Sequence, residues 1–207
     1  MENLILRKLD ELKLRLSKLK APLLEYLGPS LTTTEIRDMA ISTNVELPEE
    51  VFSLYEWHNG VHLPAEYYLG QAWIFPGIGF FPFSNAVERY NQGANADEYW
   101  EGSKFLIFES GGGEMYLIEC DKGSPEFGMI FLHSYGSHDG YVIKPVYDSL
   151  DTFLSTAIEC YRKGLCVIDE RFFGVNFIKG DTVLPELLAI RKAFNPKADK
   201  WKQDNSP

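Results

Sequence analysis

Apolar side chains recur at alternating spacings of four and three through the first stretch of the chain: Ile5, Leu9, Leu12, Leu16 and Leu19, with charged residues between them. That stripe predicts an amphipathic helix over residues 4–20 with heptad character. Just over two heptads is short for a self-standing coiled coil, so docking on the body of the domain is favoured over self-association. Pro22 ends or kinks this helix, and Gly28-Pro29 breaks the chain again. Thr32-Thr33-Thr34-Glu35 supplies N-cap residues for a short helix from about Glu35 to Thr43. A further helix opens at Leu47-Pro48-Glu49-Glu50, where proline suits the first turn and the two acids suit the N-terminal end of the dipole. Val51, Leu54 and Tyr55 form its buried face, and Asn59-Gly60 predicts a left-handed stop.

Between Val61 and Pro82 the pattern loses its period and becomes aromatic, with Tyr67, Tyr68, Trp73, Phe75, Phe80 and Phe81 set among prolines and glycines. Loops and short strands are expected there. Ser84 is placed to cap a helix running to about Tyr90, and residues 91–101 read as a polar loop. Next come two apolar runs, Phe105-Leu106-Ile107-Phe108 and Met115-Tyr116-Leu117-Ile118, separated by Ser110-Gly111-Gly112-Gly113 with Glu109 and Glu114 on the shoulders. Short apolar runs either side of a glycine break predict two strands joined by a hairpin, the glycines supplying backbone with positive φ. A phosphate-binding loop does not fit: no Lys-Ser/Thr pair follows, the loop leads into a strand, and the two glutamates would repel an anion.

Strands over residues 128–133 and 141–143, joined by turns, extend the hairpin into an antiparallel meander. Ser149 then caps an amphipathic helix that turns Leu150, Phe153, Leu154, Ala157, Ile158 and Tyr161 inward and closes at Gly164. Residues 165–181 hold a short apolar run and an aromatic stretch. A last helix is expected from about Leu184 to Phe194, stopped by Asn195-Pro196, with a polar, disordered tail from Lys197. Helices first, strands in the middle and helices last indicate an α+β fold in a single domain over residues 1–196, followed by the tail 197–207.

Composition narrows the function classes. The chain has 207 residues, 45% hydrophobic and 14% aromatic, enough for one well-buried core. No apolar run approaches the roughly 18 residues of a membrane span, and Met1-Glu2-Asn3 lacks the order of a signal peptide. Cys120, Cys160 and Cys166 cannot all pair within one chain and form no CxxC, so reduced thiols and a cytoplasmic location are expected. Net charge is −10; residues 1–20 carry six basic side chains against three acidic, so +3 there leaves −13 for the remainder. Such a body argues against direct binding of nucleic acid or anionic membrane and suits a basic protein partner.

No pattern of side chains demands catalysis. His58 and His62 have the spacing of two metal ligands on a helix, but Asn59-Gly60 between them ends the helix. His133 and His138 with Asp139 are a looser group, and no cysteine stands at zinc-ligand spacing from either pair. A Ser134–His133–Asp139 assembly lacks any GxSxG or papain-type context. No cofactor, metal or catalytic residue is assigned. Trp57 and Trp73 lie near turns and serve either as core or as aromatic anchors for a partner.

Several of these pieces together resemble the SUKH superfamily, which includes yeast cell-wall assembly regulators and bacterial immunity proteins. Leu47-Pro48-Glu49-Glu50-Val51-Phe52-Ser53-Leu54-Tyr55 with Trp57-His58-Asn59-Gly60 resembles its opening "LP-x-x-h-x-x-h-Y…NG" motif. Phe80 to Ala86 resembles its strand-to-helix step, and residues 105–118 its "GGG" hairpin. Gly128-Met129-Ile130-Phe131 resembles the next strand, and Ser149-Leu150-Asp151-Thr152-Phe153-Leu154 the closing helix. The resemblance covers residues 34–163. Glu109 departs from the aspartate that often precedes the glycines, and the N-terminal helix and everything after Gly164 lie outside the shared pattern.

What the resemblance implies is a central mixed, largely antiparallel sheet packed by helices, here with extra N- and C-terminal helices, and a non-enzymatic binding role. In bacteria that role is intracellular immunity, neutralising a polymorphic toxin, often a nuclease; in fungi it is scaffolding in cell-wall or stress signalling. An uncharacterised enzyme using the hairpin cleft is a third reading. Joined to the acidic charge, the first reading points to a basic toxin domain met by Glu109, Glu114 and Asp139, with Trp57 or Trp73 as anchor, by a monomer or weak dimer.

Overall fold

Ile5, Leu9, Leu12 and Leu16, the stripe of the first helix α1 (Leu4–Lys18), are all buried in the main core. Each such side chain contributes roughly 1.5–3 kcal/mol on leaving water, which is why the seam docks rather than staying free for a second copy. The Asn3 side chain caps the helix by accepting from the amides of Ile5 and Leu6. Lys8 Nζ ties its flank to Asp151 Oδ1 at 2.7 Å and Ser155 Oγ at 2.7 Å. The computed structural model describes residues 3–66, 69–96, 102–136, 140–171 and 173–199. The sequence expectations for Tyr67, Tyr68, residues 97–101, His138, Asp139, Phe172 and residues 200–207 lie outside them.

Helix α2 (Thr33–Ala40) starts with a capping box in which Thr32 and Glu35 satisfy each other's backbone amides. The expected helix to Thr43 changes geometry at Ile41: a 3-10 turn over Ile41–Thr43 ends at Asn44 in the left-handed region, φ +52°. Helix α3 is Glu49–Trp57. Its stop differs from the sequence expectation, because His58 is already extended at φ −155° while Gly60 two residues on holds φ +70°. The left-handed glycine therefore follows the helix end instead of making it. A Cβ on Gly60 would lie 2.2 Å from the carbonyl carbon of Phe81, so the residue is needed for close backbone approach as well as for φ.

The central sheet has six strands in chain order: β1 (Trp73–Phe75), β2 (Ile78–Gly79), β3 (Lys104–Glu109), β4 (Met115–Glu119), β5 (Ile130–Gly136) and β6 (Gly140–Tyr147). Every ladder among the described residues is antiparallel, so the parallel component of the expected mixed sheet has no counterpart there. Short turns join β1 to β2 and β3 to β4, which permits only antiparallel pairing there, while β2 reaches β3 through a helical connection and still pairs antiparallel. Helix α4 (Phe83–Ala96) lies between β2 and β3 and runs through the first residues of the expected polar loop. Its start is capped from a distance: Asn59 Oδ1 accepts the Phe83 amide at 2.8 Å.

Helix α5 (Leu150–Arg162) begins in a capping box between Ser149 and Thr152 and lays Phe153 against Phe75, Phe108 and Tyr147. The core thus sits between one sheet face and helices α1, α3, α4 and α5. Beyond Gly164 the sequence reading left strands unassigned, yet β7 (Cys166–Asp169) and β8 (Gly174–Phe177) form a separate antiparallel hairpin. Gly174 is fixed by contact, a Cβ there falling 1.8 Å from the Gly70 carbonyl oxygen. Helix α6 (Val183–Phe194) follows. Order persists past Lys197, where a disordered tail was expected: residues 196–199 are helical, Asp148 accepts the amides of Lys197 and Ala198, and Ala198 is buried against Met129 and Phe131.

Candidate functional site

The glycine hairpin connects β3 to β4 as expected and is held from within by one serine. Ser110 donates its amide to Glu114 O at 2.9 Å, and its Oγ accepts the amides of Gly112 at 3.0 Å and Glu114 at 3.3 Å. Gly111 and Gly113 stand at φ +79° and +95°, conformations that side chains with a Cβ rarely adopt. Trp73 joins this end of the sheet by donating its indole N–H to Ser110 O at 3.2 Å. Ala72, Trp73, Gly79, Phe81, Glu109 and Gly111 enclose a dimple of about 30 Å³.

Three expected contact residues are thereby gathered through Ser110: Glu109, Glu114 and Trp73. They are not equivalent. Glu114 is exposed and has no ion pair among the described residues. Glu109 is 26% exposed and stands 3.5 Å from Arg89 Nη2, which offsets part of its charge. Trp57 sits elsewhere: it is buried at the end of α3, with its indole N–H donated to Asp10 Oδ1 at 3.0 Å and its ring stacked with Phe80. Asp139 lies outside the described residues.

Sequence reasoning missed an open groove of about 760 Å³ at the other end of β4. One wall is the stretch from Arg37 to Phe52; the other is the turn from Lys122 to Gly128 between β4 and β5. Ile41 and Phe127, 76% and 36% exposed, bring large apolar side chains to it. The Arg37 guanidinium lies over the Phe52 ring at 5.5 Å, and Lys122 is paired with Glu46. The two walls are some 80 residues apart in sequence, so no local pattern could have announced them. The usable signal was an apolar residue, Ile41, on the polar side of a short helix.

Residues 30–156 match the SMI1 / KNR4 family (SUKH-1). The chain belongs to that family. The match spans α2 through the first half of α5, so the hairpin and the groove both fall within the matched residues, while α1, β7, β8 and α6 lie outside them. No curated protein matches the chain.

The described histidines and cysteines of this SUKH-1 domain are either hydrogen-bonded or buried. His58 Nδ1 meets Gly28 O at 2.8 Å and its Nε2 lies 3.0 Å from Lys13 Nζ; burial, with the lysine charge, draws its pKa below the ordinary value despite the Gly28 bond. His62 Nε2 instead meets Asn59 O at 2.9 Å, so the two rings of the i, i+4 pair address different carbonyls. Burial pushes the Cys120 and Cys160 thiols up to about 12, and Cys166 higher still, which leaves them protonated and poor nucleophiles at neutral pH. His133, buried in β5, is drawn down by burial. Among the described residues no three His, Cys, Asp or Glu side chains converge on a possible metal position, and no helix is long and apolar enough to cross a membrane.

Proposed function

We propose that this SUKH-1 protein is a non-catalytic immunity protein that binds a basic toxin domain and blocks it by occupying the surface meant for the toxin's own substrate. The observation that carries this reading is the hairpin tip, where a rigid, serine-braced turn presents Glu114 and Glu109 beside Trp73. A toxin that degrades nucleic acid must offer a basic groove to phosphates, and carboxylates on a stiff turn suit the same groove. The indole beside them supplies the amphipathic area that anchors interfaces. Family membership and the three buried thiols favour binding over catalysis.

The test is capture of the native partner. The tagged full chain is recovered from its own cells and co-purifying proteins are identified, then the purified partner's activity is assayed with and without a stoichiometric amount of the chain. A basic partner whose nuclease activity is quenched supports the proposal. Recovery of a signalling or cell-wall assembly protein with no activity to quench would replace it with the scaffold reading.

A further inference from the structure

Helix α6 is apolar on two faces. Val183, Leu187 and Ile190 are buried, while Leu184 and Leu188, 62% and 54% exposed, stand on the opposite side with the exposed Pro185, Ala189 and Ala193. A surface helix ordinarily turns charged and polar residues outward, and one that is apolar on both faces is built to be covered on both. Helix α1 shows the ordinary case, its exposed Leu4 and Leu14 being separated by exposed Arg7 and Glu11. Scattered apolar residues of that kind need no partner, whereas the outer face of α6 is continuous.

The order of charges along that face selects its occupant. On the flanks of α6, Glu186 is held by Lys163 at 2.6 Å and the Arg191 guanidinium lies over the Tyr147 ring at 5.1 Å. The outer face itself keeps one acid and one base, at opposite ends. Asp181 is exposed in the turn that opens the helix and has no ion pair among the described residues; Lys192 is 67% exposed, with Asp199 3.6 Å away. Acid first, leucines between and base last is a pattern that complements itself on reversal. Against an antiparallel second copy, Asp181 faces Lys192 at both ends, Leu184 meets Leu188, and the helix dipoles oppose. The small Ala189 beside the leucines lets the two axes approach. A parallel copy would set Asp181 against Asp181 and Lys192 against Lys192, and a foreign surface of a single sign would be repelled at one end.

We infer that the outer face of α6 is a self-association surface, which receives the same face of a second copy of this chain in antiparallel orientation. Such a contact is isologous and closes at two copies. One helix face is smaller than the roughly 800 Å² that each partner buries in a standard interface, so the dimer is weak and its population follows concentration. The C-terminal end of α6 sits by Tyr147, at the end of the sheet remote from the glycine hairpin, and α6 lies outside the matched residues. The inference is therefore independent of the toxin-binding reading above.

Sedimentation velocity on the full chain, from about 5 µM to about 500 µM at low salt, tests it. The wild type is expected to pass from monomer toward dimer across that range. Leu188→Glu, a change at an exposed position, is expected to stay monomeric throughout, with its melting temperature in dilute solution unchanged. Asp181→Lys and Lys192→Glu each set like charges together at both ends of the pair, and each alone is expected to weaken association by about fivefold or more. Mixing these two variants in equal amounts puts opposite charges back at both ends, so the mixture should associate as the wild type does. A wild type that remains monomeric at the top of the range, a dimer that survives Leu188→Glu, or a mixture of the charge variants that associates no better than either alone would overturn the inference.

Discussion

The Asn59 side chain accepts the Phe83 amide at 2.8 Å across 24 residues, so a residue just past the end of α3 caps the start of α4. Its neighbour Gly60 brings the same two segments together: the Val61 amide meets Phe80 O at 2.8 Å, and a Gly60 Cβ would fall 2.2 Å from Phe81. The Asn-Gly pair is therefore a clasp between helices. Asn59→Ala leaves an orphaned helix amide and is expected to cost about 1 kcal/mol, as lost caps do. Asn59→Asp, which keeps the acceptor, should retain most of that stability in urea unfolding.

Gly60→Val adds two penalties at one position, a Cβ-bearing residue at φ +70° and a collision with the Phe81-Pro82 backbone. The expected loss is about 2–4 kcal/mol, above the usual cost of a strained left-handed residue alone. A thermal melt of the variant checks it. An unchanged melting temperature would mean that the 58–62 and 80–83 segments do not approach as described.

Lys104 and Glu119, directly paired across β3 and β4, form a buried ion pair at 2.9 Å, with Lys104 Nζ also 4.6 Å from the Phe131 ring. Lys104→Met strands a buried carboxylate and is expected to cost about 3–5 kcal/mol, whereas Lys104→Met with Glu119→Leu should recover most of the loss. Burial alone would raise the Glu119 pKa, but the Asp121 amide and Lys104 outweigh it and hold it below the ordinary value. A depressed carboxylate stabilises the fold above its unfolded pKa, and that contribution is lost as pH falls through the folded one. Stability measured below about pH 4.5 should accordingly fall more steeply in the wild type than in Glu119→Gln.

Glu50 has the opposite sign. Burial raises its pKa, with Asp151 adding to that, although the Leu150 amide pulls the other way. Between the unfolded value and the higher folded one the native state holds the proton better, so this group's contribution declines as pH rises through that window. Above that window its charge is a cost. Glu50→Gln retains an acceptor for Leu150 and is expected to match or exceed wild-type stability by up to about 1 kcal/mol. A loss above about 2 kcal/mol in denaturant titration would show that the charge itself holds α5 in place.

What the sequence made legible follows the range of the physics involved. The Ser149 cap, the α1 stripe and the Gly111–Gly113 turn are each specified within a few residues and appear where the pattern put them, while the α2 cap falls on Thr32 and starts that helix two residues before the expected Glu35. The hairpin β7–β8 was not foreseen, because its strands are short, only partly buried, and fixed by Gly174 reaching Gly70 from 104 residues away. The burial of Ala198 depends on Asp148, and α4 starts where Asn59 caps it; neither partner is local. At the candidate site the turn was readable but the Glu109–Arg89 contact and the groove were not, since both join segments that meet only in the folded chain.

That contact separates the two hairpin acids in a way that binding kinetics can read. Glu109 shares its charge with Arg89 at 3.5 Å, while Glu114 is exposed and has no ion pair among the described residues, so the field that would steer the proposed basic partner comes mainly from Glu114. Opposite charges raise association toward about 10⁸ M⁻¹s⁻¹ at low salt, against about 10⁵–10⁶ M⁻¹s⁻¹ for a neutral pair. Screening acts beyond a Debye length of about 8 Å at physiological ionic strength, so the on-rate for the partner should fall steeply as salt rises. Glu114→Lys is expected to slow association several-fold and to flatten that salt dependence, with stability within about 0.5 kcal/mol of wild type because the side chain is exposed. Glu109→Lys should slow it less per charge reversed and should also destabilise slightly, since the new cation would face Arg89 at the end of β3. Stopped-flow association across a salt series, run beside melting curves for both variants, measures all of this. An on-rate indifferent to salt, or one that Glu109→Lys lowers more than Glu114→Lys does, would remove the hairpin tip from the binding surface.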